Sequence, residues 1–301
     1  MKLGLLIAVR DKAPWIERAA RAALDQVCRP IEVILSDQGS TDGTREILDR
    51  VASEYEGPHK VTRLNCPYTE RKGMAGLNLH LEWAIAETDC EWVTPMSGDD
   101  FCLPGFALAL LQCIEDHEEA VMVGTAMCFV EPGKEDDQRS VSACSDLSGW
   151  VSVEQHINNK VGGSTATAFS RDFWRVAGPV PGICGVDLYM PARAAAFNGF
   201  WFHKEALYAH VHHKNEHNMG LGGIMRAVDG DKQRELQVLE HIQFQIGSAW
   251  YAVLKKIMEL DAGSEQDRNE LAQAALNTFC SWADVRLNMT LTGVEPKGFP
   301  I

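Results

Sequence analysis

The chain has 301 residues and carries 28 Lys and Arg against 42 Asp and Glu, a formal charge of −14. With 46% hydrophobic and 23% charged residues it sits near the globular average, which excludes disordered and fibrous architectures. No apolar run of about 18 residues occurs, so no transmembrane helix is expected, and the acidic balance argues against a general affinity for nucleic acid.

The first 130 residues alternate strand-like and helix-like segments. Leu3–Val9 is a continuous apolar run that passes straight into Asp11 and Lys12 without a small-residue cleavage site, and it reads as a buried strand rather than a signal peptide. Trp15, Ile16, Ala19, Ala20, Ala23 and Leu24 then follow a helical spacing. Ile31–Leu35 is a second buried run, and Ser40 or Thr41 is placed to cap a helix bearing Ile47, Leu48 and Val51. Val61–Leu64 reads as strand, Met74–Ala86 as helix, Trp92–Met96 as strand, Pro104 to His117 as helix and Val121–Val130 as strand. Such alternation predicts an α/β fold, a mostly parallel sheet with helices on both faces and ligands at the carboxyl ends of the strands.

After a polar loop at 131–139, Ala166–Ser170 reads as strand, Asp187–Phe197 as helix, and Phe200–His213 as two strand-like pieces. Apolar residues three or four apart over Gln233–Met258, and again over Leu271–Val285, predict a helical C-terminal appendage. The expected division is therefore an α/β domain over 1–220, with halves at 1–130 and 131–220, and a helical appendage over 221–301. Nine cysteines without a C-x-x-C pair argue against a disulfide framework or a structural zinc site and predict a reducing, cytoplasmic location.

Two strand ends carry chemistry. The second strand runs into Ser36-Asp37-Gln38-Gly39-Ser40-Thr41-Asp42-Gly43-Thr44, which puts Asp37 and Gln38 at the carboxyl edge of the sheet, within reach of a base or ribose. The plain alternative is a strand-to-helix turn with Ser40 or Asp42 as cap. The fourth strand ends in Ser97-Gly98-Asp99-Asp100, two adjacent carboxylates suited to a Mg²⁺ or Mn²⁺ ion shared with substrate phosphates, or else to a loop and a helix cap before Pro104.

Together the two motifs resemble family 2 glycosyltransferases of the GT-A fold, whose usual pattern is "DDGSTDGT" after strand 2 and "DADD" before a proline-bearing helix start. The resemblance covers about residues 2–215. It implies an inverting, metal-dependent transfer of a sugar from a nucleotide-diphosphate sugar, with a UDP-sugar favoured, to an acceptor hydroxyl on a glycan, metabolite, protein or modified nucleobase. The charge disfavours a DNA base. Position by position, the resemblance assigns Ala8, Arg10, Asp37 and Gln38 to base and ribose, and Arg71 and Lys72, with Asn78 on the following helix, to the diphosphate. Asp99 is assigned to ribose or metal, and Asp100 and His212 to the metal, Mn²⁺ or Mg²⁺. Asp187 matches the general base that deprotonates the acceptor, or is an ordinary helix cap.

Two departures stand out. Gln38 replaces the second aspartate of the first motif, and an amide donates as well as accepts. Ser97 replaces the first acid of the second. Five histidines at 203, 210, 212, 213 and 217 also admit a zinc site, which suits a phosphate-binding cleft less well than one His beside Mg²⁺ or Mn²⁺. The competing functions are a non-catalytic nucleotide-sugar binder or scaffold, and a sugar nucleotidyltransferase, which would need a Gly-rich basic loop where this chain has Val9–Pro14. The C-terminal helices are a candidate homo-oligomer contact.

Overall fold

The computed structural model describes residues 1–70, 73–130, 148–152, 155–156, 166–177 and 186–211. They belong to one compact unit, Met1–Val211. The helices expected over 233–258 and 271–285, the expected basic pair Arg71 and Lys72, and His212 lie outside the described residues.

In chain order the elements are β1 (Leu3–Val9), α1 (Ala13–Leu24), β2 (Glu32–Asp37), α2 (Thr44–Glu54), β3 (Lys60–Asn65), α3 (Gly73–Ala86), β4 (Trp92–Met96), β5 (Phe101–Cys102), α4 (Phe106–Asp116), β6 (Met122–Val130), β7 (Gly149–Trp150), β8 (Thr167–Ser170), α5 (Arg171–Ala177), α6 (Val186–Ala196) and β9 (Phe200–Val211). They form one sheet in the order β3-β2-β1-β4-β8-β6-β9-β5, with β7 paired to β9. The pairs among β3, β2, β1 and β4 are all parallel, β8 runs antiparallel between β4 and β6, and β6 and β9 are parallel.

β1 and β2 are buried at every position. A strand covered on both faces reads as an unbroken apolar run rather than an alternation, which is why these strands were legible in the sequence. The helix α1 buries Ile16, Ala19, Ala20, Ala23 and Leu24 against them, a 3–4 spacing that keeps one stripe on the sheet. Each large apolar side chain fully buried this way contributes about 2 kcal/mol.

Three local expectations change. The residue preceding α2 is Gly43, at φ +99°, in place of Ser40 or Thr41, and the neighbouring Asp42 carboxylate accepts the Thr44 N–H. Phe200–Val211 is a single strand rather than two pieces. Its pairing with β6 jumps from Thr125–His203 to Ala126–Ala206 and on to Met127–Tyr208, so bulges absorb the polar residues Lys204 and Glu205 without ending the strand. The two-residue strands β5 and β7 were not anticipated, because two residues carry no periodicity. Among the described residues no helix is long and apolar enough to cross a membrane.

Candidate active site

The chain places β2 and then β3 on one side of β1, and returns to put β4 on the other. Such a reversal opens a crevice at the carboxyl ends of β1, β2 and β4. Both sequence motifs end there.

The turns after β1 and β2 are knitted together. Asp11 takes the left-handed region, at φ +52°. Its backbone N–H donates to Ser40 Oγ at 2.9 Å, and its Oδ1 accepts the Thr41 N–H at 2.8 Å. Asp42 serves two helix starts at once, accepting from Ala13 N at 2.9 Å and Thr44 N at 3.0 Å. The Thr44 hydroxyl oxygen accepts the Lys12 N–H at 2.7 Å. These bonds fix the chain exit of β1 against the start of α2.

Asp37 is fully buried. Its carboxylate accepts the Gly39 N–H at 3.0 Å, the Ser40 N–H at 3.3 Å and two bonds from the Arg45 guanidinium at 3.0 and 3.1 Å. A buried carboxylate is tolerable only when so compensated, and the effect is to lock the Gly39–Ser40 turn. Gly39 itself stands at φ +70°, with no room for a Cβ, which would come 2.6 Å from Thr69 Cγ2. Gln38 is buried and its amide donates to Tyr68 O at 3.0 Å and Gly76 O at 3.2 Å. Arg10 Nη1 reaches Thr69 O at 2.6 Å. Ala8, in register with Ser36, is buried inside β1. Asn78 is buried on α3.

Beyond the end of β4 the two acids part company. Asp99 faces Lys12, with Nζ to Oδ2 at 2.5 Å, and accepts the Ser97 hydroxyl on its other oxygen. Gly98 lets this loop lie on β1, since a Cβ there would meet Val9 Cγ1 at 2.3 Å. Asp100 is 2% exposed, and both of its oxygens are taken by β9: Oδ1 accepts the Val211 N–H at 2.9 Å and Oδ2 pairs with His210 Nδ1 at 3.1 Å. Burial works to lower the His210 pKa, but the hydrogen bond and charge of Asp100, with Asp99 behind it, outweigh that and hold it above the usual imidazole range. Tyr208, fully buried on the same strand, accepts the Ser97 N–H on its phenol oxygen at 3.1 Å, and burial pushes its own pKa well above the usual tyrosine range.

The oxygen donors present fit a Mg²⁺ or Mn²⁺ ion held through one carboxylate and substrate phosphates. Asp99 is at the crevice with an oxygen already facing a cation, the Lys12 ammonium. A different cluster, Glu32, Asp89 and Cys90, brings three ligand atoms within 4.8 Å of one another. It lies at the opposite, amino edge of the sheet, and lysines fill it: Lys2 Nζ is 2.7 Å from Glu32 and also bonds Asp89, while Lys60 Nζ is 2.9 Å from Glu32. Burial pushes the Cys90 thiol up to about 11, away from the thiolate a metal needs.

Asp187 is the second residue of α6. Pro191, four residues on, has no N–H to donate to the Asp187 carbonyl. Sequence reasoning missed Lys12, Tyr208 and His210 as members of this site. For His210 the signal existed, in the cluster of histidines at 203–217, whereas His203 turns to Glu205 at 3.5 Å. Lys12 and Tyr208 had none, because their partners lie 87 and 111 residues away.

The sequence matches the family model "Glycosyl transferase family 2" over residues 5–173, more than half of the chain. Among solved structures, S. aureus TarS residues 1–349 with UDP-GlcNAc superposes with a TM-score of 0.65 at 15% identity, over 97% of this chain and 76% of that one. The mannosyltransferase PcManGT from Pyrobaculum calidifontis, solved with GDP-Man and Mn²⁺, gives 0.54 at 18% identity, over 98% and 88%. No curated protein matches in sequence. The strand-end motifs, the crevice they line and the family match agree: the chain belongs to glycosyl transferase family 2 and has the GT-A fold.

Proposed function

We propose that the protein is an inverting glycosyltransferase that moves a sugar from a nucleotide-diphosphate sugar, with UDP as the nucleotide, to an acceptor hydroxyl. The observation that carries this reading is the convergence of both family motifs on one crevice, with the Asp99 carboxylate at its edge beside Lys12. UDP is favoured over GDP by the UDP-GlcNAc complex of TarS, and the GDP-Man complex of PcManGT makes GDP-sugars the natural competitor.

In this reading Asp99, with His212 as a second candidate, holds Mn²⁺ or Mg²⁺. A divalent ion so bound supplies positive charge to the diphosphate leaving group. The residues of the chain do the rest. Asp37, Gln38 and Arg10 shape the base-side wall through the turns and the loop they hold. Lys12 adds a fixed positive charge at the crevice, and Arg71 and Lys72 are assigned to the diphosphate. Asp187 is the base that takes the proton of the acceptor hydroxyl as it attacks the anomeric carbon from the side opposite the leaving group. The burial of Asp100 and the engagement of both its oxygens support a role in holding β9 rather than in touching the ion. The described cysteines are free thiols, mostly buried, which supports a cytoplasmic setting.

The test is hydrolysis of UDP-, GDP- and dTDP-sugars with Mn²⁺ present or chelated. Slow, cation-dependent release of UDP is expected from at least one donor. Binding of every donor class without turnover would instead indicate a nucleotide-sugar binder. Asp187→Ala is expected to abolish transfer to acceptor and to preserve UDP affinity; retained transfer would remove Asp187 from the mechanism.

A further inference from the structure

The connection between β3 and α3 contains Arg71 and Lys72 in sequence, and its described ends are held from below by the turns after β1 and β2. Cys66 N–H donates to Asp37 O at 2.7 Å. Arg10 donates to Thr69 O, and Gly39 lies so close under Thr69 that no Cβ fits between them. Gln38 does more than these. Its side chain, in a residue only 4% exposed, bonds Tyr68 O on one side of the connection and Gly76 O, in the first turns of α3, on the other. The carbonyls of Tyr68 and Gly76 thus meet on one amide nitrogen.

The chemistry of that meeting is restrictive. Two carbonyl oxygens only accept, so the group between them must bring two N–H bonds, which the NH2 of a glutamine amide supplies and an ionised carboxylate does not. The same requirement fixes which end of the amide is nitrogen. The usual family motif has aspartate at this position. Here it would set a buried negative charge against two carbonyl dipoles and bond neither.

We propose that Gln38 is a positioning residue of the donor site: its amide clasps Tyr68 to the start of α3 and so holds these described ends in place beside the nucleoside diphosphate, a task the family's aspartate cannot perform in this chain. The functional half of this proposal rests on the crevice being a nucleotide-sugar site. The clasp itself does not.

Gln38→Asp and Gln38→Met remove both N–H donors, one with a charge and one without. Limited trypsin digestion of the full chain, mapped by mass spectrometry, compares cleavage after Arg71 and Lys72 with cleavage after Arg50 in α2, which reports global opening. The ratio is expected to rise about tenfold in both variants, the worth of two neutral hydrogen bonds. Calorimetry with UDP and Mn²⁺ is expected to show Kd raised about tenfold in both, and with a working donor KM rises while kcat stays nearly constant. An unchanged cleavage ratio in both variants overturns the clasp. So does a Gln38→Asp protein that binds UDP as tightly as the parent while Gln38→Met does not, because Gln38 would then contact the base. Failure of the parent protein to bind either UDP or GDP would remove the nucleotide-sugar reading and leave the cleavage comparison to decide the clasp.

Discussion

Asp100 and His210 meet across the end of the sheet, Oδ2 to Nδ1 at 3.1 Å, so that an acid next to the crevice is spent on holding the last described strand in place. Asp99, its neighbour, keeps its carboxylate at the crevice with Lys12 and Ser97. Two adjacent acids, indistinguishable as letters, have different partners and should have different mutants.

Asp99→Asn is expected to lower donor hydrolysis at least about a hundredfold, the usual cost of losing a group that places charge on the reaction, and to abolish the response to Mn²⁺ with little change in melting temperature. Asp100→Asn should keep the Val211 bond and lose the charge facing His210. It is expected to destabilise the protein by about 1–3 kcal/mol while the Mn²⁺ response persists. With the Asp100 charge gone, burial is opposed only by the more distant Asp99, and the His210 pKa by NMR should fall from its raised value. Equal loss of metal response in both variants would contradict this division.

His80 on α3 predicts a pH dependence of stability. It is almost fully buried, its Nε2 2.7 Å from Ser36 Oγ, and burial pushes its pKa down to about 4 from 6.5. Between these values the unfolded chain binds the proton and the folded chain does not, so stability falls as pH drops from about 6.5 toward 4. The loss approaches about 3 kcal/mol across that window. Urea unfolding at pH 7 and pH 4.5 should show it, and His80→Gln should flatten that part of the profile; an unaltered profile would mean other groups cause the acid loss.

The Gly39–Thr69 approach predicts a paired effect. Gly39→Ala forces a Cβ into a left-handed backbone and within 2.6 Å of Thr69 Cγ2, so a loss of about 2–3 kcal/mol is expected. Thr69→Ser removes that methyl. The double variant should recover the steric part and keep the backbone part, giving a coupling energy of about 1 kcal/mol in denaturant titrations. Strict additivity would place the clash elsewhere.

At the other edge of the sheet, Glu32 is a buried carboxylate whose desolvation is outweighed by Lys2, Thr62 and Lys60, holding its pKa below the usual range. Lys2→Met leaves that charge with Lys60 as its remaining cation beside the Thr62 hydroxyl, and a loss of about 1–3 kcal/mol is expected, less than for a fully buried pair because Lys2 is a third exposed. Glu32→Gln in the same background should recover part of it. Added Zn²⁺ should leave the melting temperature of the parent protein unchanged, since the lysines already neutralise the cluster.

Much of this molecule was legible from its letters. The strands β1, β2 and β4 announce themselves because burial on both faces writes an uninterrupted apolar run, and the glycines and acids that follow mark the crevice. What stayed hidden depends on distant partners. Asp99 and Asp100 diverge only because β9 arrives beside one of them, and the orientation of Gln38 is decided by carbonyls 30 and 38 residues away. Across Gly43, the Asp42 carboxylate accepts the Thr44 N–H at the start of α2 while its other oxygen serves the start of α1. Local sequence cannot express such sharing of one carboxylate between two helices.

On the proposed function, the pairing of Lys12 with Asp99 separates folding from metal supply. A crevice lined by unbalanced carboxylates would swell or unfold when its ion is stripped away. Here a tethered ammonium remains as counter-charge, so a chelator should silence the protein without melting it, and re-addition of the ion should restore activity with no refolding step. A divalent ion held by Asp99 would then replace one counter-charge with another, and Lys12 would keep its own charge at the crevice.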